Sequence, residues 1–175
     1  MSVEPAPQRG FLSSPLNRLP RPVKFAQRPV AALGTAWLLT FPISIVVAMI
    51  LAAMFPDAAQ PQFPFEGFDL FWRIVFFAPA VETLIMGVVL LILRLFMRPT
   101  PAVLVTAILA GLAHSYGPNG VAIWGLVIWW PFLIFSTLFV VWRERSVWAA
   151  FGMAALAHAL HNLPSAALIV SGINV

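Results

Sequence analysis

The chain is built mainly from apolar runs that are each long enough to approach the width of a lipid bilayer. Five such runs follow one another, at residues 30–55, 70–97, 101–117, 121–142 and 147–171. At about 1.5 Å per residue, even the shortest run approaches the roughly 30 Å of the hydrocarbon core. Because a backbone in lipid must satisfy its own hydrogen bonds, runs of this kind form helices. The sequence predicts an all-α, polytopic membrane bundle with about five transmembrane helices.

Composition supports the same fold class. Hydrophobic residues make up 61% of the 175 residues and charged residues only 9%, whereas soluble domains are roughly 25% charged. The chain has no cysteine, which excludes disulfides, cysteine metal sites and a thiol nucleophile. We expect two parts: a disordered, basic, proline-rich tail at residues 1–29 and a membrane-embedded domain at residues 30–175.

The basic residues lie in alternate connections between the runs. The tail, the link after the second run and the link after the fourth run all carry them, whereas residues 56–69 and 116–120 contain no Lys or Arg. The positive-inside rule then predicts a cytoplasmic N-terminus and an outer C-terminus, with the expected location being a bacterial inner membrane. The tail carries a net charge of +4 but interleaves few aromatic residues with its basic ones. This favours contact with anionic lipid over nucleic acid as a partner.

Only four side chains deep inside the apolar runs, away from their ends, can carry or move a proton. They are Glu82, His114, His158 and His161. Burying an ionisable group in hydrocarbon costs about 3 kcal/mol by insertion scales, so such residues normally face a cavity and act there. These four positions are the candidate functional residues.

The last run places several polar residues together. At about 100° per residue, Asn162 lies roughly 40° from His158 and His161 roughly 60° on the other side, so all three are expected to share one face. Pro164 follows and weakens the helix by removing a backbone donor. This face is expected to point into the protein.

Glu82 and His114 lie in two other runs. Glu82 follows Pro79, which is expected to bend its helix, and His114 precedes a breaker segment at residues 117–120. One carboxylate and two or three imidazoles from three helices can hold and deprotonate a water, directly or through a metal such as zinc. The candidate metal ligands are Glu82, His114 and His158, and the sequence leaves open whether a metal is present.

Segments 78–83, 110–114 and 158–162, in this order, resemble the motifs of the CPBP family of intramembrane proteases. This family includes the type II CAAX prenyl endopeptidases and bacteriocin-processing and immunity proteins. The resemblance covers residues 77–163. Glu82, after its Ala-Pro lead, matches the first motif; His114 matches the second; His158, with Asn162 four residues on, matches the last.

The resemblance implies an endopeptidase that hydrolyses a peptide bond within the bilayer. Glu82 with His114 would activate the water, while His158 and Asn162 would orient it or stabilise the oxyanion. The implied partner is a peptide or membrane-protein substrate. The chain departs from the family pattern at three positions: Thr83 replaces a second Glu, Gly87 an arginine and Ala110 an aromatic residue.

Two other functions remain open from the sequence. Thr83 and Gly87 would permit a catalytically inactive membrane binding or scaffold protein of the same fold. A b-type haem could use His114 with His158 or His161 as axial ligands. The protease hypothesis predicts that the side chains of Glu82, His114 and His158 lie within about one helix diameter, roughly 10 Å. The charge pattern places the opening of the site on the outer side of the membrane, whereas the family resemblance suggests the cytoplasmic side.

Overall fold

The computed structural model describes residues 12–13, 15–58, 64–117 and 121–172, and all regular structure among them is helical. Each predicted run contains one long helix, which confirms the all-α membrane bundle. The helices are α1 (Pro29–Met54), α2 (Gly67–Leu93), α3 (Pro99–Tyr116), α4 (Gly125–Trp142) and α5 (Val147–Val170). By length and composition, α1, α2, α4 and α5 can each cross a membrane.

Helix α4 is the centre of the bundle. Every residue from 131 to 142 is buried, and 78% of its apolar window is buried compared with 11% of that of α1. The other four long helices all pack against α4. Its contact with α3 is close because a Cβ on Gly125 would overlap the Gly111 carbonyl oxygen. Small residues at such crossings let two helix backbones approach.

The outside of the bundle is apolar. Large hydrophobic side chains such as Leu38, Ile85 and Leu112 are about half exposed or more along the middles of their helices. An exposed apolar surface of this extent is unfavourable in water and is typical of lipid-facing helices. The chain is therefore a helical membrane protein.

The segment before α1 differs from the expected disorder. Leu16 and Val23 are buried in the same core as the long helices, and two short helical turns, Leu16–Arg18 and Arg21–Lys24, present them. The Ser13 N–H donates to Thr100 Oγ1 at 2.9 Å. In the structure this part of the expected tail packs on the bundle, because its few apolar residues bury against α1 and α4. Residues 1–11 lie outside the described residues.

Candidate functional site

Helix α2 changes its winding two turns before the candidate acid. Residues Arg73–Phe77 form a π-helical turn, in which the Ala78 N–H donates five residues back to the Arg73 carbonyl. The next carbonyl in that pattern belongs to Ile74, and its π-helical partner would be residue 79. Pro79 has no N–H to donate, so the Ile74 carbonyl needs a partner from outside the helix. Single π turns of this kind recur at functional sites.

Asn162 of α5 supplies that partner. Its Nδ2 donates to the Ile74 carbonyl oxygen at 2.9 Å. The bond fixes α5 against the irregular turn of α2, about two helical turns before Glu82. The family resemblance implies that the Asn162 amide orients the water or stabilises the oxyanion. In the structure one of its N–H groups instead binds the backbone of α2 that leads to Glu82.

The carboxylate of Glu82 lies between two imidazoles. Glu82 Oε2 is 3.7 Å from His114 Nε2 and 3.8 Å from His158 Nε2, which confirms the predicted convergence of α2, α3 and α5. The side chains of Glu82 and His114 are 32% and 29% exposed, whereas that of His158 is 6% exposed. The cluster is open along the edge formed by Glu82 and His114 and closed behind His158.

Two phenylalanines of α4 fix the imidazole rings. Phe135 stacks on His158 at 4.8 Å between ring centroids, and Phe132 contacts the rings of both His158 and His114, at 5.2 and 5.7 Å. Sequence reasoning did not find these residues. Nothing in the sequence distinguishes them from the other phenylalanines of an apolar helix, since their role depends on which way α4 is rotated.

One hydrogen bond of His114 indicates which of its two ring nitrogens carries the hydrogen in the neutral form. Its Nδ1 lies 2.8 Å from the Ala110 carbonyl oxygen. A carbonyl only accepts, so Nδ1 carries the hydrogen. In the neutral ring, Nε2 then points a lone pair toward Glu82, and an acceptor faces an acceptor. A proton carried by the acid, or by a water that bridges the two groups, makes this contact favourable.

His158 presents the opposite group. Its Nδ1 is buried and has no hydrogen-bond partner among the residues described. An orphaned buried acceptor is tolerated more readily than an orphaned N–H, so the neutral ring carries its hydrogen on Nε2. That nitrogen lies 3.8 Å from Glu82 Oε2, slightly beyond hydrogen-bond distance, where the N–H dipole favours the carboxylate. The two histidines thus offer Glu82 a base on the open side and a donor on the buried side.

The remaining predicted residues do not join this cluster directly. His161 packs between Phe41 of α1 and Phe135 of α4, with ring centroids 6.2 and 5.8 Å apart. Its Nδ1 finds no hydrogen-bond partner in the described part of the chain, and neither does Thr83 Oγ1, which is also buried. Phe135 contacts both His158 and His161, but only His158 lies beside Glu82, and Asn162 binds the backbone of α2.

Gly87 has a packing reason to lack a side chain. A Cβ at this position would lie 2.7 Å from ring carbons of both Phe139 and Phe151, closer than any normal contact. The arginine that the family pattern places here could not be accommodated. Its absence therefore follows from how α4 and α5 pack against α2.

The same cluster is the candidate metal site. Within residues 12–13, 15–58, 64–117 and 121–172, no group of three or more His, Cys, Asp or Glu side chains is placed to hold a metal ion. The two Nε2 atoms lie 3.7 and 3.8 Å from Glu82 Oε2, slightly farther than the roughly 3.4 Å between donors of a tetrahedral zinc site. The ligand set Glu82, His114 and His158 stays a prediction.

Haem ligation does not fit this arrangement. Axial histidines must face each other across the iron and the porphyrin ring. Here the Nε2 atoms of His114 and His158 both face the Glu82 carboxylate, and Phe132 packs against both rings. His161 is enclosed by aromatic rings of α1 and α4. These positions leave no room for a porphyrin between the rings.

Comparison of the chain with protein-family models, with curated proteins and with solved structures finds no match. The resemblance to the CPBP family stays a prediction that rests on the motifs quoted above.

Proposed function

We propose that the chain is an intramembrane endopeptidase that hydrolyses a peptide bond with a water activated by Glu82 and His114. The observation that carries the proposal is the position of Glu82 Oε2 within 3.8 Å of two imidazole nitrogens from two other helices. General acid–base groups contribute about 10²–10⁴-fold to rate. Without substrate, their mutual distances are often slightly longer than a hydrogen bond.

The two tautomers give the histidines different roles, with His114 as the base and His158 as the N–H donor. A water at the exposed edge donates one hydrogen toward the lone pair of His114 Nε2 or toward Glu82. As its oxygen attacks the scissile carbonyl carbon, the proton passes to this pair. The carbon–nitrogen bond then breaks when the proton is delivered to the leaving amide nitrogen, giving a carboxylic acid and an amine. In this mechanism the His158 Nε2–H, 3.8 Å from Glu82 Oε2 before substrate binds, moves within hydrogen-bond distance and orients the carboxylate.

The exposure of the cluster favours a peptide or membrane-protein segment as substrate. Glu82 and His114 face the outside of the bundle, while the neighbouring large side chains on α2, such as Ile85, are exposed and apolar. A segment that lies in the membrane can approach this edge from the side. Helical segments must unwind locally before a protease can reach their backbone.

Cleavage dependent on Glu82 tests the proposal. The full chain, purified in detergent, is incubated with a library of membrane peptides, and products are identified by mass spectrometry. Glu82→Gln keeps the shape of the side chain but cannot take up a proton. We expect peptides cleaved by the wild-type chain to survive with this variant. Equal cleavage by both proteins would reject the proposal.

A non-catalytic scaffold is the second candidate. It is favoured by the buried Thr83 and by Gly87, where the packing of Phe139 and Phe151 leaves no space for the arginine of the protease pattern. For a scaffold, Glu82→Gln retains biological activity, whereas substitutions at the helix contacts abolish it.

The proposed topology places the N-terminus in the cytoplasm, with the site opening to the outer side. The alternation of basic and non-basic connections supports it. Tyr116, at the end of α3, is exposed, and the chain has no cysteine of its own. A Tyr116→Cys variant should react with an impermeant thiol reagent in intact cells. Reaction only after the cells are broken would reverse the topology.

A further inference from the structure

A cavity lies away from the Glu82 cluster, between the ends of α2 and α4. Its volume is about 90 Å³. The lining residues are Leu90, Leu91, Arg94, Phe139, Val140, Arg143 and Glu144. The cavity, called here the basic-end pocket, thus combines an apolar floor with two guanidinium groups and one carboxylate.

The two arginines form no ion pair. Neither Arg94 nor Arg143 lies within 4 Å of a carboxylate oxygen in the described part of the chain, although Glu144 lines the same cavity. One guanidinium nitrogen of Arg94 donates to the Met97 carbonyl, which holds the group at the end of α2. Arg143 is exposed at the end of α4. Both have further N–H groups with which to bind an anion.

The pocket lies where the lipid-facing surface meets the basic end of the bundle. The turn after α2 exposes Leu95 and Phe96, so apolar surface continues beside Arg94. Other described basic residues of the adjoining links and N-terminal segment are Arg18, Arg21, Lys24, Arg28, Arg98 and Arg145. An apolar surface beside arginines that form no ion pair matches the junction between acyl chains and headgroup phosphates.

We propose that the basic-end pocket binds the headgroup phosphate of an anionic glycerophospholipid. The phosphate oxygens accept hydrogen bonds from Arg94 and Arg143, because guanidinium groups suit phosphate geometry. The acyl chains follow the apolar surface beside Leu91. Glu144 weakens the site, since its charge repels the phosphate.

Lipid binding by the purified full chain tests the proposal. Native mass spectrometry counts bound phosphatidylglycerol, phosphatidylcholine and the acyl-free glycerophosphoglycerol. We expect phosphatidylglycerol to bind at least fivefold more tightly than phosphatidylcholine, whose choline offsets the phosphate charge. Glycerophosphoglycerol should not bind at the same concentration. Equal binding of the acyl-free compound would overturn the lipid assignment in favour of a site for soluble phosphate.

Three substitutions localise the effect. Arg143→Gln should weaken phosphatidylglycerol binding at least fivefold, while Arg98→Gln, an exposed position outside the pocket lining, should change it less than twofold. Glu144→Gln should strengthen binding, a result that damage to the fold would not produce. Equal losses for Arg143→Gln and Arg98→Gln would show only an effect of total charge and would overturn the proposal. No change with Glu144→Gln would also count against it.

Discussion

The two halves of helix α2 differ in how the hydrogen bonds of their backbone carbonyl groups are formed. The half that leads to Glu82 contains a π turn and Pro79, and its Ile74 carbonyl depends on a hydrogen bond from Asn162 of α5. The half that follows Glu82 is regular α-helix, and at Gly87 it packs directly against aromatic rings of α4 and α5.

The polar candidate residues lie beside the irregular half of α2, and the tight apolar packing lies along the regular half. Polar groups collect where the helical hydrogen-bond ladder is interrupted, because another helix must then supply a polar side chain. The regular half has no such need and packs by shape alone. Four predictions test whether the first half governs activity and the second half governs stability.

The largest effect is expected at the imidazole that acts as a base. His114→Gln replaces the basic ring nitrogen with an amide that accepts a hydrogen bond but does not take up a proton, so the cleavage rate should fall by about 10²–10⁴-fold. His158→Gln retains an N–H that can reach Glu82 and should cost less than about tenfold, below the range for a proton-transfer group. Rates on a cleaved peptide measure both variants. Similar losses would contradict the assignment of opposite tautomers.

The regular half should be sensitive to added volume. Gly87→Ala places a methyl group 2.7 Å from the rings of Phe139 and Phe151, and such overpacking costs about 1–3 kcal/mol of unfolding free energy. Gly152→Ala is the matched control, because a Cβ there meets nothing within 4 Å. It should stabilise α5 by about 0.5–1 kcal/mol. Denaturant unfolding in detergent compares the two, and a shift of the same sign in both would refute the packing argument.

The bond between Asn162 and Ile74 should matter only while residue 79 lacks an N–H. Asn162→Leu leaves the Ile74 carbonyl without its donor and should cost about 1–2 kcal/mol, together with a loss of cleavage activity as Glu82 moves. Pro79→Ala returns an N–H to the helix. In that background the same substitution should cost clearly less, a coupling that a double-mutant cycle measures. Equal losses of unfolding free energy in both backgrounds would show that the role of Asn162 does not depend on the missing N–H of Pro79.

The smallest effect is expected at the start of α5, far from the irregular turn. Ser146 Oγ accepts a hydrogen bond from the Ala149 N–H at 2.9 Å, and Ser146→Ala should cost about 1 kcal/mol of stability. Activity per folded molecule should not change. Ser171→Ala, at the exposed opposite end, should stay within about 0.5 kcal/mol. Loss of activity in folded Ser146→Ala would contradict the idea that activity depends on the irregular half of α2.

Local properties of the chain were sufficient to predict the fold class and the members of the cluster. Hydrophobicity and length define the five helices because lipid leaves the backbone no alternative. The cost of burying charge selects Glu82, His114, His158 and His161 as residues that face one another or a cavity, and the structure brings the first three together while His161 lies between Phe41 and Phe135. The prolines and basic residues of the N-terminal segment gave no sign that Leu16 and Val23 are buried.

Only the tertiary structure decided how the helices are offset and rotated against each other. Periodicity gives the angle of a side chain about its own helix, so His158, His161 and Asn162 appear as one face in the sequence. Their partners lie on α1, α2 and α4. The close packing at Gly87, Gly111 and Gly125 sets how the helices are placed against one another. The tautomers at Glu82, the role of Asn162 and the basic-end pocket all follow from those contacts, which join residues far apart in the chain.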